Sequence, residues 1–450
     1  MFKNIVRVAM ANIANFGSSF IVGFILPAVL SVAAYGHYKE YSLYLSFVYI
    51  FNLGFNDGIY IKYGGENPDK VNKNELHQEH NFIRVFQFLI FIPMIIFSIV
   101  TQNIVILLFS ISTLFMTINT FHQNYSQAVG NFKVFSNGNI FKSIFYIGSL
   151  LFGVFILRSD QYVVYISMSV ISYLLVFLYY EYVFYKLYGF EKNWNLDGKF
   201  SLFKIGFIIL FANMSLTFVG NVGNWVVNFG FQIEDFAQYS FQNSILNVLL
   251  LIVNAVGMVF YNVISKKENK SMLRLTKRIS IFLGIFGGLG FFVFKFIIEN
   301  FLAKYVGSLP LLSVTFIAIP YIMVSKILIA NLYKARKDER KYFRDSILFA
   351  LSSFIIVFTA YWITNSLLAI AFSTTVSYIL WFLYTTRVEY PYLKSSIKEL
   401  ILLATHVVIF YYSAVSFSIP VGFIIYLVYV LLVAIAFKKE LLGLVKFAKK

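Results

Sequence analysis

The chain has 450 residues, of which 59% are hydrophobic and only 13% charged, and its mean hydropathy is +0.76. An ordinary soluble domain carries roughly 25% charged residues, and a soluble core of this length cannot hide so much apolar surface, so a soluble enzyme is excluded. Cysteine is absent, which removes disulfides and any thiolate metal or redox site.

In chain order, the apolar runs predict fourteen helices of the length that crosses a bilayer, about 20 residues each. The first six are Val8–Ala34, Tyr41–Ile61, Val85–Thr101, Asn103–Gln127, Ile144–Leu157 and Tyr162–Tyr182. The next six are Ile205–Phe229, Tyr239–Ile264, Ile279–Ile298, Leu311–Tyr333, Ser346–Thr364 and Leu367–Thr386. Ile401–Phe417 and Val421–Phe437 complete the set. The fifth is short, and its helix is expected to begin near Phe141. The fold class is therefore an all-α polytopic membrane protein with about fourteen transmembrane helices.

An even number of spans puts both termini on one side, and charge selects the side. With the N-terminus inside, the segments 1–7, 62–84, 131–142, 183–204, 265–278, 334–345, 387–400 and 438–450 hold 32 of the 37 Lys and Arg residues. The outside loops hold Lys39, Arg158 and Lys304, while Lys295 and Lys326 lie within spans. This positive-inside bias predicts cytoplasmic termini. It assigns most of the net charge of +17 to basic loops facing anionic lipid, so no nucleic-acid partner is needed. The loops are too short for a soluble domain. Ser31-Val32-Ala33 faintly resembles a signal-peptidase site, but the apolar run before it is too long for a signal peptide, and the first span is read as retained.

An offset of 198 residues aligns spans one and two with spans seven and eight. Ala14-Asn15 falls on Ala212-Asn213, Phe20 on Phe218, Tyr41-Ser42 on Tyr239-Ser240 and Asn56 on Asn254. The offset covers an even number of spans, which predicts parallel repeats, a transporter architecture with its binding site between halves. The expected organisation is an N-terminal six-helix lobe over residues 1–195, a second over 196–386, and an additional two-helix segment over 387–450 with a basic tail.

Polar residues inside spans mark candidate function. Span seven carries Asn213, Thr217, Asn221, Asn224 and Asn228 at steps of 4, 4, 3 and 4, one face of a helix. Span eight carries Asn243, Asn247, Asn254 and Asn262, and span one Asn12 and Asn15. Such stripes face other helices or water. They are read either as interhelical hydrogen-bond glue or as the lining of a hydrated cavity, and the four-turn amide face of span seven favours the cavity. Asp57, near the inner end of span two, is the clearest acidic residue within a span: a helix-end break, or a proton or cation site. Lys326 lies well inside span ten and is either a snorkelling side chain or a cavity cation. Arg84 opens span three at the inner interface. His122 and His406 are isolated in sequence and are read as hydrogen-bonded packing residues. No phosphate loop, metal-ligand spacing or nucleophilic triad is present, so no catalytic residue, metal or cofactor is assigned and the chain is read as a non-enzyme.

The opening segment has a basic tip (Lys3, Arg7) followed by Asn15-Phe-Gly-Ser-Ser19 and an outer turn at Tyr35-Gly36-His37-Tyr38. Span two ends in Asn52-Leu-Gly-Phe-Asn56-Asp57-Gly58 and Tyr63-Gly64-Gly65. Together with the span count and the repeat, this resembles the polysaccharide-biosynthesis branch of the MOP superfamily, the Wzx-type O-antigen flippases. The resemblance implies two pseudo-symmetric six-helix lobes plus a C-terminal helix pair, with the first and seventh helices beside a central cavity. It implies that a polyprenyl-pyrophosphate-linked oligosaccharide is turned from the inner to the outer leaflet of a bacterial cytoplasmic membrane by alternating access. In that frame Asn12, Asn15, Asn213, Asn221, Asn224, Asn228 and Asn254 would meet sugar hydroxyls. Lys326, Arg84 and Lys204 would meet the pyrophosphate, and Asp57 would couple transport to H+ or Na+. Membrane lipids, a polysaccharide polymerase and chain-length proteins are the further partners implied. A strongly cationic cavity is missing from this sequence. The alternatives are a cation-coupled drug or metabolite antiporter of the same superfamily, and a membrane polysaccharide polymerase or glycosyltransferase, which the short outer loops disfavour.

Overall fold

The computed structural model describes residues 23–191, 198–266, 269–336 and 338–438, with the side chains at 251–252, 254–266, 334 and 339 left aside. Asn12, Asn15 and the side chain of Asn254 lie outside the described residues. Every described regular element is helical. Among the described residues, ten helices are long and apolar enough to cross a membrane, or eleven where the bent pair counts as one span. The protein is an all-helical, multi-pass membrane protein.

The ten coincide with ten predicted spans. The chain divides into two compact units, Met1–Phe218 and Val219–Lys450. The first holds α1 (Val32–Leu45), α2 (Phe55–Lys62), α3 (Lys73–Val100), α4 (Ile104–Ala128), α5 (Phe132–Leu151), α6 (Tyr162–Tyr188) and the start of α7 (Phe200–Gly230). Side-chain caps start several of these helices. Ser31 accepts from the Ala34 amide, Asn72 from Glu75, and Asn103 from Val105 and Ile106. The core of this unit gathers Phe55, Ile59, Leu76, Ile83, Phe121, Phe184 and Leu202.

Span two is not the continuous helix expected. It runs as α1, a 3-10 segment at Val48–Asn52, and α2, with Leu53 (φ 50°) and Gly54 (φ 89°) in left-handed conformation between them. Glycine suits such a turn, and here it also permits close packing. A Cβ on Gly54 would meet the backbone carbon of Gly206 at 2.7 Å. One buried amide satisfies the backbone at the break and another ties α2 to α4. Asn52 Oδ1 accepts from the Gly54 amide at 2.8 Å, and Asn56 Nδ2 donates to the Thr117 carbonyl at 2.9 Å.

Residues 62–84, expected to be an inside loop, are mostly helix, because α3 begins at Lys73 and carries its polar turns ahead of the apolar run. Helix α6 likewise continues to Tyr188, past the predicted end at Tyr182. The span predicted from Ile144 belongs to a helical stretch that begins at Phe132, earlier than the start expected near Phe141.

The second unit continues α7 and adds α8 (Ile233–Lys266), α9 (Lys270–Gly287), α10 (Leu289–Phe301), α11 (Leu309–Ile317), α12 (Ile319–Met323) and α13 (Ala330–Arg336). Four helices complete it: α14 (Glu339–Thr364), α15 (Leu367–Tyr384), α16 (Ile397–Val415) and α17 (Ile419–Ala436). Span ten is broken rather than straight, since Ala303–Ile317 and Ile319–Tyr333 meet at 52°. Pro320 sits just after the break, where it has no amide to donate. Helix α9 is tied to the start of α16 by a buried ion pair. Lys277 Nζ lies 2.7 Å from Glu399, which Arg278 also contacts at 2.8 Å.

Candidate functional site

The predicted site residues fall into separate groups. In the second unit, Asn224 is buried and joins α7 to α8: its Oδ1 accepts from Ser240 Oγ at 3.2 Å and from Asn243 Nδ2 at 3.0 Å. Its own Nδ2 donates to Asn221 Oδ1 at 3.2 Å, and Gln242 Nε2 donates to Asn243 Oδ1 at 3.0 Å. The amide stripe read from span seven thus becomes a five-residue network across two helices, with Asn221 and Asn228 half-buried at its edge. Asn213, in the first unit, is exposed.

Lys326 lies on a π-helical segment, Val324–Ile329, between α12 and α13. The wider turn changes the direction of successive side chains. Lys326 is exposed while Ser325 and Ile327 on either side are buried. Lys295, the other cation within a span, reaches the carbonyls of Ala414 at 3.1 Å and Phe417 at 3.5 Å and so caps the end of α16. His406 is fully buried against Tyr426, 3.1 Å from its hydroxyl, as expected of a packing residue.

In the first unit Asp57 occupies the first turn of α2, half-buried, where the helix N-terminus favours a negative charge. Lys62, at the other end of the same helix, pairs with Glu75 and Glu79, and Tyr63 donates to Glu79 at 2.8 Å. Burial works to lower the Lys62 ammonium, but the two carboxylates outweigh it and hold the group above its ordinary value. Burial and the Glu79 charge both push the Tyr63 phenol up. Lys204, exposed near the start of α7, borders an apolar groove of about 500 Å³ lined by Leu53, Phe86, Phe200, Phe203 and Phe207.

Arg84 does not simply point to the interface. Its Nη1 donates to the Tyr185 hydroxyl at 3.0 Å and lies 3.8 Å from Glu181 Oε2. The other oxygen of Glu181 faces two imidazoles, His80 Nε2 at 2.8 Å and His122 Nε2 at 3.0 Å. His122 is therefore not isolated, which corrects the reading made from sequence. His80 and Glu181 escaped that reading because 59 and 101 residues separate Glu181 from its two partners. The signal that could have found them is the spacing of His77, His80 and Arg84, which share one face of α3.

No protein-family model matches the sequence, and no curated protein matches it. Solved structures do share the fold. The inward-facing conformation of a multidrug resistance MATE family transporter of the MOP superfamily is similar with a TM-score of 0.57 and 13% identity, over 87% of this chain and 100% of its own. The outward-facing conformation of such a transporter gives 0.51 and 11% identity, over 85% and 94%. A MATE transporter, ClbM, in complex with Rb+ gives 0.51 and 12% identity, over 90% and 96%. At these identities the likeness is one of fold: the chain has the polytopic helical architecture of MATE transporters of the MOP superfamily.

Proposed function

We propose that this chain is a flippase that turns a polyprenyl-pyrophosphate-linked oligosaccharide from the inner to the outer leaflet of a bacterial cytoplasmic membrane by alternating access. The cargo would be an O-antigen or a related polysaccharide repeat unit. The observation that carries the reading is the amide series of α7 and α8 within a transporter fold. Amides offer both donors and acceptors at fixed positions and suit the hydroxyls of a sugar. Asn213, Asn221 and Asn228 retain exposure for that task, whereas Asn224 is engaged in holding α7 to α8. Asn12, Asn15 and Asn254 belong to the same proposed set. Lys326, Arg84 and Lys204 supply cations for the pyrophosphate, whose attraction strengthens away from bulk water. Asp57 is the proposed coupling carboxylate, for H+ or Na+.

A second reading has its own support. One solved neighbour is a multidrug resistance transporter and another was solved with Rb+, so a cation-coupled antiporter of drugs or metabolites is the alternative. A polymerase or glycosyltransferase would need sizeable outer loops. The connections at 101–103, 157–161, 231–232, 365–366 and 416–418 are only a few residues long. Deleting the gene separates the two transport readings. A flippase predicts lipid-linked repeat units accumulating on the cytoplasmic leaflet, with drug sensitivity unchanged. Sensitivity to cationic drugs without that accumulation would establish the antiporter instead.

A further inference from the structure

His80, His122 and Glu181 have no role in the transport proposal, yet they form a buried cluster of ionisable side chains in the first unit. They come from three different helices, α3, α4 and α6, and are 0%, 3% and 9% exposed. One donor atom from each lies within 4.8 Å of the other two. Aromatic rings fix the imidazoles in place. Phe184 lies 4.4 Å from the His80 ring by centroids, and Tyr180 stacks on His122 at 5.7 Å with 16° between planes. We infer that these three residues form a binding site for a divalent transition-metal ion of the zinc class.

The donor set selects the ion. Two imidazole nitrogens and one carboxylate oxygen suit zinc and its neighbours, with a fourth position left for water, whereas calcium and magnesium require oxygen ligands. Metal–ligand bonds of about 2.0–2.1 Å in tetrahedral geometry set donor atoms about 3.3 Å apart. The two Nε2 atoms stand 2.8 and 3.0 Å from Glu181 Oε1, so these two pairs open by a few tenths of an ångström to admit the ion, while the two imidazole donors, which lie within 4.8 Å of each other, come to the same spacing.

Without an ion, both Nε2 atoms can donate to Oε1. Binding needs their lone pairs, which moves each proton to Nδ1. His80 Nδ1 is buried with no hydrogen-bond partner, so the tautomer change forfeits no hydrogen bond there. The same vacancy leaves this imidazole without the acceptor that raises ligand basicity in tight sites. Arg84 faces Oε2 rather than Oε1, and its charge opposes the ion without occupying a ligand atom. Both features describe a site that binds reversibly, weaker than a closed structural zinc site.

The test is a titration of the full-length protein in detergent after chelator treatment. Zn2+ followed by calorimetry and Co2+ followed by visible absorption should each saturate at one equivalent, with Mg2+ giving no signal. His122→Ala and Glu181→Gln should abolish that equivalent. To keep the test independent of how either variant folds, the wild-type protein is also melted with and without Zn2+, and a rise in its melting temperature is expected. Arg84→Gln, which keeps all three ligands, should tighten binding. Wild-type protein that takes up neither Zn2+ nor Co2+, or binds them equally after both ligand substitutions, would overturn the proposal and leave the cluster a hydrogen-bonded link between helices. The flippase reading would be untouched, since it uses none of the three ligands.

Discussion

Asn224→Ala separates the packing and transport roles of the amide series. Asn224 is 8% exposed and makes two hydrogen bonds from α7 to α8. Interhelical hydrogen bonds in membranes average about 0.6 kcal/mol each. Truncation also strands the Ser240 hydroxyl and the Asn243 amide, at about 1 kcal/mol or more where both remain buried. The expected loss is roughly 1–3 kcal/mol, which for a unit of this size lowers the melting temperature by roughly 2–12 °C. Thermal unfolding of purified protein in detergent, read by intrinsic tryptophan fluorescence, measures it. Asn213→Ala, at an exposed position of the same helix, should leave the melting temperature unchanged and lower export. The reasoning fails if Asn224→Ala melts like the wild type, or if Asn213→Ala is the destabilised variant.

Lys326→Ala should reduce export of lipid-linked glycan while membrane abundance, read by immunoblot, stays at the wild-type level; normal export would remove Lys326 from the proposed pyrophosphate site. For Asp57→Asn, the expected outcome is transport that no longer responds to an imposed pH or sodium gradient. A variant that keeps the wild-type gradient dependence would exclude Asp57 as the coupling group. Lys277→Met leaves Glu399 buried with Arg278 as its remaining cation. Removing one partner of a buried pair costs about 3–5 kcal/mol; the retained Arg278 contact at 2.8 Å places this case at the lower end. Denaturation of the purified variant checks it, and wild-type stability would contradict the assignment.

The apolar runs were legible because lipid demands them. A helix such as α4 or α17 is visible as an uninterrupted hydrophobic segment, and its ends fall within two or three residues of those predicted. The extension of α3 back to Lys73 was not legible, because residues 73–84 are polar and carry no hydropathy signal. What continues the helix there is burial of Leu76, His77, His80 and Ile83 against α4 and α6 neighbours, a tertiary effect. The break in span two had a local signal in Asn52-Leu-Gly54. Its consequence, the close approach of Gly54 and Gly206, depends on a partner about 150 residues away. Asparagine spacing on span seven puts Asn221, Asn224 and Asn228 on one face of the helix. It could not tell which amides meet a neighbouring helix, because Ser240 and Asn243 enter only when α8 packs.

Reconstitution tests the central proposal most directly. Purified protein is placed in liposomes with a polyprenyl-pyrophosphate oligosaccharide labelled on its sugar, and the label's exposure to an external glycosidase is followed. The account predicts that the protein moves the labelled lipid between leaflets, and that Lys326→Ala moves it more slowly at equal protein density. Protein that is folded and inserted but leaves the lipid's leaflet distribution no different from protein-free liposomes would contradict it.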